Sequence, residues 1–242
     1  KTIPVQAQHY RAVQKQIADL YLQKKDPGAA VAVLEDQMAS ATPGEKIDLT
    51  SQIGDIYRDG ENFARALDAY NTAIDSLTAL GKKPDAELLY ARGMTLERLQ
   101  KWSRAEIDLK AALALAPNHP YIMNYLGYSW ADQGVNLNQA LDLLQKASAE
   151  MPDDGAITDS LGWTYYRLGR YDEAITALEQ ASQLMPYDAT VNDHLGDAYW
   201  RAGRHREARF QWERALNADN QETDKEQIKE KIAEGLKPAS TP

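Results

Sequence analysis

Asp193, His194 and Asp197 lie together on one short stretch and carry side chains that can bind a metal or move a proton. The other histidines are His9, His119 and His205, and no two of the four form an HExxH pair or another pair with metal spacing. The chain has no cysteine, which removes thiolate metal sites and thiol nucleophiles. It also lacks a G-x-S-x-G elbow and a glycine-rich phosphate loop. The Asp193–His194–Asp197 trio is therefore read as a polar helix face, with a metal or acid–base role as the alternative. No catalytic residue, metal or cofactor is expected. The net charge of -9 argues against nucleic-acid binding, which needs a basic face. No stretch reaches 18 apolar residues, so no membrane span is predicted.

The elements that position these residues repeat. Gly162 sits in Leu161-Gly162-x2-Tyr165 and Gly196 in Leu195-Gly196-x2-Tyr199, 34 residues on. Ala174, Leu178, Ala181 and Pro186 follow the first; Ala208, Trp212, Ala215 and Asn220 follow the second. This pattern resembles the tetratricopeptide repeat, a helix–turn–helix unit that stacks into a solenoid. Upstream, Leu126-Gly127-x2-Trp130 leads to Ala140, Leu144, Ala147 and Pro152, and Gly93 leads to Ala105, Leu109, Ala112 and Pro117. Ile53-Gly54-x2-Tyr57 leads to Ala66, Tyr70 and Ala73, and Ile17-Ala18-x2-Tyr21 to Ala30 and Leu34. The predicted fold is an all-α right-handed solenoid of six units, starting near Arg11, Ile47, Ala86, Pro120, Gly155 and Ala189.

Each signature residue has a physical task. Gly or Ala at the eighth position and Ala at the twentieth let helix A and helix B approach closely, and bulky residues fill the space between. Tyr57, Trp130, Tyr165, Tyr199 and Trp212 fall at such packing positions. Proline after helix B ends it, and Asn118, Asp154 or Asp188 can cap the next helix. Gly81-Lys82-Lys83-Pro84 stretches one spacing, Gly54 to Gly93, to 39. The expectation is a long second helix B and an outward loop, with a hinge as the alternative. Residues 223–242 read as a capping helix over Asp224–Leu236, with an Ile228, Ile232, Leu236 stripe, and a disordered tail. The cap is expected to cover Phe210, Ala215 and Leu216. Residues 1–10 read as an extension or the end of an upstream repeat. A start at Lys1 suggests a fragment or processed product.

The resemblance also implies a site. In such solenoids the A helices line a concave groove, which here would hold Tyr90, Met94, Arg98, Tyr121, Asn124, Tyr125 and Tyr128. The last two repeats would add Asp159, Trp163, Tyr166, Arg167, Asp193, Asp197, Trp200 and Arg201. Aromatic side chains of this kind give large rigid contact area with a polar handle. The fifth and ninth positions do not match the dicarboxylate clamp of chaperone-binding relatives. Asp159, Asp193 and Asp197 would instead suit a ligand with Lys, Arg or an amine, and Asn124 could hold a ligand backbone.

The runs Asn124–Asp132, Asp159–Tyr166 and Asn192–Trp200 further resemble the C-terminal repeats of proteobacterial envelope proteins of this family. One group of those proteins serves as adaptors of a periplasmic C-terminal-processing protease. The resemblance implies a non-enzymatic adaptor that binds a protein or peptide, with a protease and its substrates as candidate partners. It favours a periplasmic or envelope-anchored location over a cytoplasmic one. An assembly factor for envelope machinery and a regulatory arm of a larger enzyme are the alternatives.

Overall fold

The computed structural model describes residues 5–218 and 224–237. The described residues form α1 (Val5–Gln23), α2 (Pro27–Met38), α3 (Pro43–Asp59), α4 (Phe63–Ala79), α5 (Ala86–Arg98) and α6 (Trp102–Leu115). They continue as α7 (Pro120–Gln133), α8 (Leu137–Glu150), α9 (Gly155–Arg167), α10 (Tyr171–Leu184), α11 (Ala189–Arg201), α12 (His205–Asn217) and α13 (Lys225–Glu234), with no strand among them. The chain divides into two compact bodies, one up to Ala116 and one from Pro117 onward. The N-terminal body holds three helix pairs, and the C-terminal body holds three more and α13.

Small residues set the spacing within each pair. Ala30, Ala66, Ala105, Ala140, Ala174 and Ala208, one from each helix B, are all fully buried. The glycines opposite admit no β-carbon. One added at Gly162 would lie 2.6 Å from Leu178, and one at Gly196 would lie 2.4 Å from Trp212. Real β-carbons do not come that close to packed carbon, so the two helices touch through a glycine backbone and a bulky side chain. Leu109, Leu126, Leu144, Leu178 and Trp212 are fully buried as a result.

The turns within the pairs follow one recipe. Each helix A ends with a residue of positive φ in the following turn: Lys25, Glu61, Gln100, Gly134, Gly169 or Gly203. The next amide then reaches back to a carbonyl in the last turn, as in Lys101 N–H to Leu96 O at 2.8 Å and Arg204 N–H to Tyr199 O at 2.9 Å. Only the last three repeats use glycine here, where the left-handed conformation is least strained. In the fourth repeat Asn136 is left-handed as well, which accommodates its extra residue.

Repeats three to six begin at Ala86, Pro120, Gly155 and Ala189, where the spacing places them. The first two begin earlier than expected. Thr42 accepts from Glu45 N–H, Glu45 accepts from Thr42 N–H at 2.8 Å, and Pro43 opens the helix, so α3 starts a turn before Ile47. Helix α1 begins at Val5, so most of the expected extension is helical. Asp154 and Asp188 cap α9 and α11, but His119, not Asn118, caps α7. Pro120 occupies the first helical turn and makes His119 the cap, its Nδ1 accepting from Ile122 N–H at 3.4 Å. Helix α4 runs to 17 residues and leaves a short loop from Gly81 to Pro84, as expected of the insertion. The expected tail at Ala239–Pro242 lies outside the described residues.

Two glycines test the packing account. Gly196→Ala must displace the rigid Trp212 ring and is expected to cost roughly 1–3 kcal/mol. Gly44→Ala, where nothing lies within 4 Å, is expected to be neutral or stabilising by up to about 1 kcal/mol. Urea unfolding followed by circular dichroism measures both, and equal midpoints would contradict the role given to Gly196.

Candidate functional site

In the N-terminal body a cavity of about 590 Å³ opens along α3 and α5, lined in part by Ile47, Ser51, Asp55, Leu88, Tyr90 and Met94. Tyr90 and Met94 thus line a recess. Arg98 does not: its guanidinium lies 5.0 Å from the ring centre of Phe63. The floor is rigid. Tyr70 is fully buried and donates to Asp55 Oδ1 at 2.7 Å, and Arg58 donates to the same oxygen at 2.9 Å. Burial and the Asp55 charge together push the Tyr70 phenol far above its usual range.

In the C-terminal body α7, α9 and α11 pack in sequence. Tyr121 on α7 is 45% exposed, whereas Asn124, Tyr125 and Tyr128 are half-buried. Asn124 Oδ1 is enclosed yet accepts no hydrogen bond. On α9 the Trp163 ring stacks on Tyr166 at 4.7 Å and on His194 of α11 at 4.1 Å. Its Nε1 is also enclosed and donates to nothing. Arg167 donates to the Asp132 carbonyl of α7, and Arg201 donates weakly to Tyr166 Oη at 3.5 Å.

The three aspartates expected to meet a ligand are already engaged. Asp159 is buried and pairs with His194 Nδ1 at 3.0 Å. Asp193 and Asp197 both take Lys231 Nζ of α13, at 2.8 and 2.9 Å. Asp197 also accepts from Trp212 Nε1 at 2.9 Å, so this core tryptophan has a polar role besides filling space. Trp200 is likewise enclosed. It stacks on His205 at 4.1 Å, Arg209 sits over its ring, and the Gly235 backbone presses against it so closely that a β-carbon there would fall 1.8 Å away. The expected open groove at α11 is therefore filled by α13, because Lys231 and Gly235 fit its charge and shape.

The cap also sits differently from the sequence expectation. Ile228 is fully buried among Trp212, Ala215, Leu216 and Trp200, and Arg209 Nε donates to Ile232 O at 3.1 Å. Phe210 points away and is 58% exposed. Sequence reasoning missed His194 and Lys231 as partners. A signal existed: polar pairs recur 34 or 35 residues apart on successive A helices, as in Asp132/Arg167, Asp159/His194 and Tyr166/Arg201. Lys231 and Asp197 have the same offset. Among the described residues no group of three or more His, Cys, Asp and Glu side chains is placed to hold a metal ion.

The Asp159–His194 pair makes stability depend on pH. Burial opposes the imidazolium, but the charge and hydrogen bond of Asp159, aided by Asp193 and Asp197, hold the His194 pKa above its usual value. A raised histidine pKa stabilises the fold fully below about pH 6.5, and this contribution is lost as pH rises through the folded-state value. Asp197 shifts upward as well, through burial and then the Asp193 charge, against Lys231. Its ionisation therefore weakens the fold in the same direction as pH rises. Urea unfolding of the wild type is expected to show stability falling as pH rises above about 6.5, and His194→Gln is expected to flatten that fall. An unchanged slope in His194→Gln would remove His194 as its source.

Comparison with known proteins agrees with this architecture. A family model described as "Tetratricopeptide repeat" matches residues 52–120 and 90–155, and one described as "TPR repeat" matches 162–203. The "TPR repeat-containing protein PA4667" of Pseudomonas aeruginosa is 39% identical over 90 residues, covering 37% of this chain and 15% of that protein. The "Bacteriophage adsorption protein A" of Escherichia coli is 32% identical over 97 residues, covering 40% of this chain and 10% of that protein. The chain thus matches only a small fraction of the length of either relative. Among solved structures, a tetratricopeptide repeat protein from Parabacteroides merdae superposes with a TM-score of 0.67 at 19% identity, over 92% of this chain and 97% of its own. The C-terminal part of a repeat protein from Cytophaga hutchinsonii gives 0.59 at 16% identity, over 84% and 78%. Matched repeats over more than half the chain, and helix pairs spaced by buried glycine and alanine, make this chain a member of the tetratricopeptide-repeat proteins.

Proposed function

We propose that the chain is a protein-binding scaffold that takes an extended segment of a partner along α7 and α9. Tetratricopeptide repeats typically serve as non-enzymatic interaction scaffolds. The observation that carries this reading is the pair of unsatisfied polar atoms, Asn124 Oδ1 and Trp163 Nε1. Enclosed polar atoms in folded proteins are nearly always hydrogen-bonded, because an unpaired one costs about 1–3 kcal/mol. Here an acceptor and a donor lie on neighbouring A helices, at positions the repeat register assigns to the ligand face. A peptide backbone offers the complementary pair, an N–H for Asn124 and a C=O for Trp163, and reaches them by displacing the side chains that cover them. Exposed Tyr121 supplies contact area beside them. In the N-terminal body the cavity at Tyr90 and Met94 offers a second recess for partner side chains.

The finer reading is an envelope adaptor that delivers substrates to a processing protease. It is supported by the resemblance of the α7, α9 and α11 runs to adaptors of that kind. A photo-cross-linking residue at Tyr121 tests it in cells: adducts with a protease and its substrates support the role, and adducts with neither overturn it.

Trp163→Phe separates binding from packing. It keeps a stacking ring but removes the donor, so the free protein is expected to melt no lower than wild type. Extended peptides selected by display on the wild-type chain are expected to bind Trp163→Phe or Asn124→Ala about 5–150-fold more weakly, the range that 1–3 kcal/mol implies. Selected peptides that bind all three chains equally, or a selection that yields none, would overturn the site.

A further inference from the structure

We propose that the end face formed by α11 and α12 is a second binding site, specific for a lysine-bearing amphipathic helix of a partner protein, and that α13 occupies it in cis. The inference rests on the reading of the chain as a binding scaffold but uses other residues. The seat is built for one ammonium group. Asp193 and Asp197 converge on Lys231 Nζ, with three oxygens within 2.9 Å, and the Lys231 side chain is only 12% exposed. Trp212 Nε1 donates to Asp197 and fixes it, while Trp200 forms a flat wall that accepts only a glycine at its closest point.

The face therefore reads a pattern rather than a sequence. Its occupant presents a buried apolar residue, a lysine three positions on, apolar residues at the fourth and eighth positions, and glycine at the seventh. In α13 and the residues after it these are Ile228, Lys231, Ile232, Leu236 and Gly235. The rest of α13, including Lys225, Glu226, Gln227, Lys229, Glu230 and Glu234, is exposed and makes no demand on the seat.

Exchange of α13 for a partner helix follows from the energetics. A helix of ten residues is marginal without its packing surface. A mostly buried ion pair contributes little net free energy, because desolvation offsets attraction, but removing one partner is costly. Departure of α13 would leave two carboxylates facing each other without a cation. A partner lysine restores the balance, whereas a neutral or acidic side chain does not. The aspartates thus select the occupant more than they tighten it.

A labelled peptide of sequence Asp224–Lys237 is the probe, and the full chain is the host. The Lys231→Gln host, whose own helix has lost its ion pair, is expected to bind the peptide at least about tenfold more tightly than wild type. Gly235→Ala, which forces α13 off Trp200 and leaves α11 untouched, is a second opened host with the same expectation. Circular dichroism checks that each host is folded. A peptide carrying Lys231→Gln is expected to lose about tenfold, and adding Asp193→Asn and Asp197→Asn to the opened host is expected to abolish binding. Equal binding by wild-type and opened hosts, no binding by either opened host, or indifference to the peptide lysine would each overturn the proposal. Trp163→Phe in an opened host leaves this peptide's affinity unchanged, so failure of the extended-peptide site and failure of this one are distinguishable.

Discussion

Everything in this chain depends on how near helix B can come to helix A. At one position of each later repeat the approach leaves no room for a single carbon, and the opposing bulky side chain lies directly on glycine backbone. Dispersion attraction falls steeply with distance, so a well-filled contact of this kind is rigid as well as favourable. It fixes the rotation of each helix A about its own axis. That rotation decides which residues of α7, α9 and α11 face inward, which face the next repeat and which remain open. A looser contact would leave the register of polar side chains between repeats undefined.

That register allows charges to be buried at all. Asp159, Asp197 and His194 are each less than 10% exposed, which would be prohibitive for isolated ions. Each is matched instead by a partner on the neighbouring helix: Asp159 by His194, and Asp197 by Lys231 and Trp212. The N-terminal body uses the same device where Arg92 bridges Asp108 at 2.7 Å and Asn71 at 3.1 Å. Such pairs add little stability, but mispairing them is costly, so they select one stacking of the helices over others. The ring of His194 in this pair continues as a stack through Trp163 to Tyr166.

The fold was legible in the sequence because its determinants are local and repeated. Gly127, Gly162 and Gly196, with the buried alanines opposite, announce the close approach wherever they occur. The starts of repeats three to six could be read directly from them. The second start was misplaced because capping chemistry decides it, at Thr42, Pro43 and Glu45, and not the packing signature. The site was only partly legible. The repeat register drew attention to Tyr90 and Met94, which line a cavity, and to Asn124 and Trp163, each of which holds an unpaired polar atom. It could not show that Asp159, Asp193 and Asp197 already have partners, since each pairing joins residues 34 to 38 apart on different elements. Lys231 was hidden among exposed lysines and glutamates on a helix whose polar residues otherwise face solvent.

On the two proposals, the C-terminal body would offer two kinds of recognition that differ in physical character. Along α7 and α9 the unmet demand is for hydrogen bonds, and any extended backbone can meet it, so discrimination there must come from side chains against Tyr121 and its neighbours. At α11 and α12 the demand is for one cation at one height on a helix, with a glycine one turn further on, and few segments meet it. The first suits a scaffold that handles many substrates. The second suits a scaffold that must recognise one fixed partner. A chain holding both on successive A helices can bind its substrates broadly and its machinery narrowly.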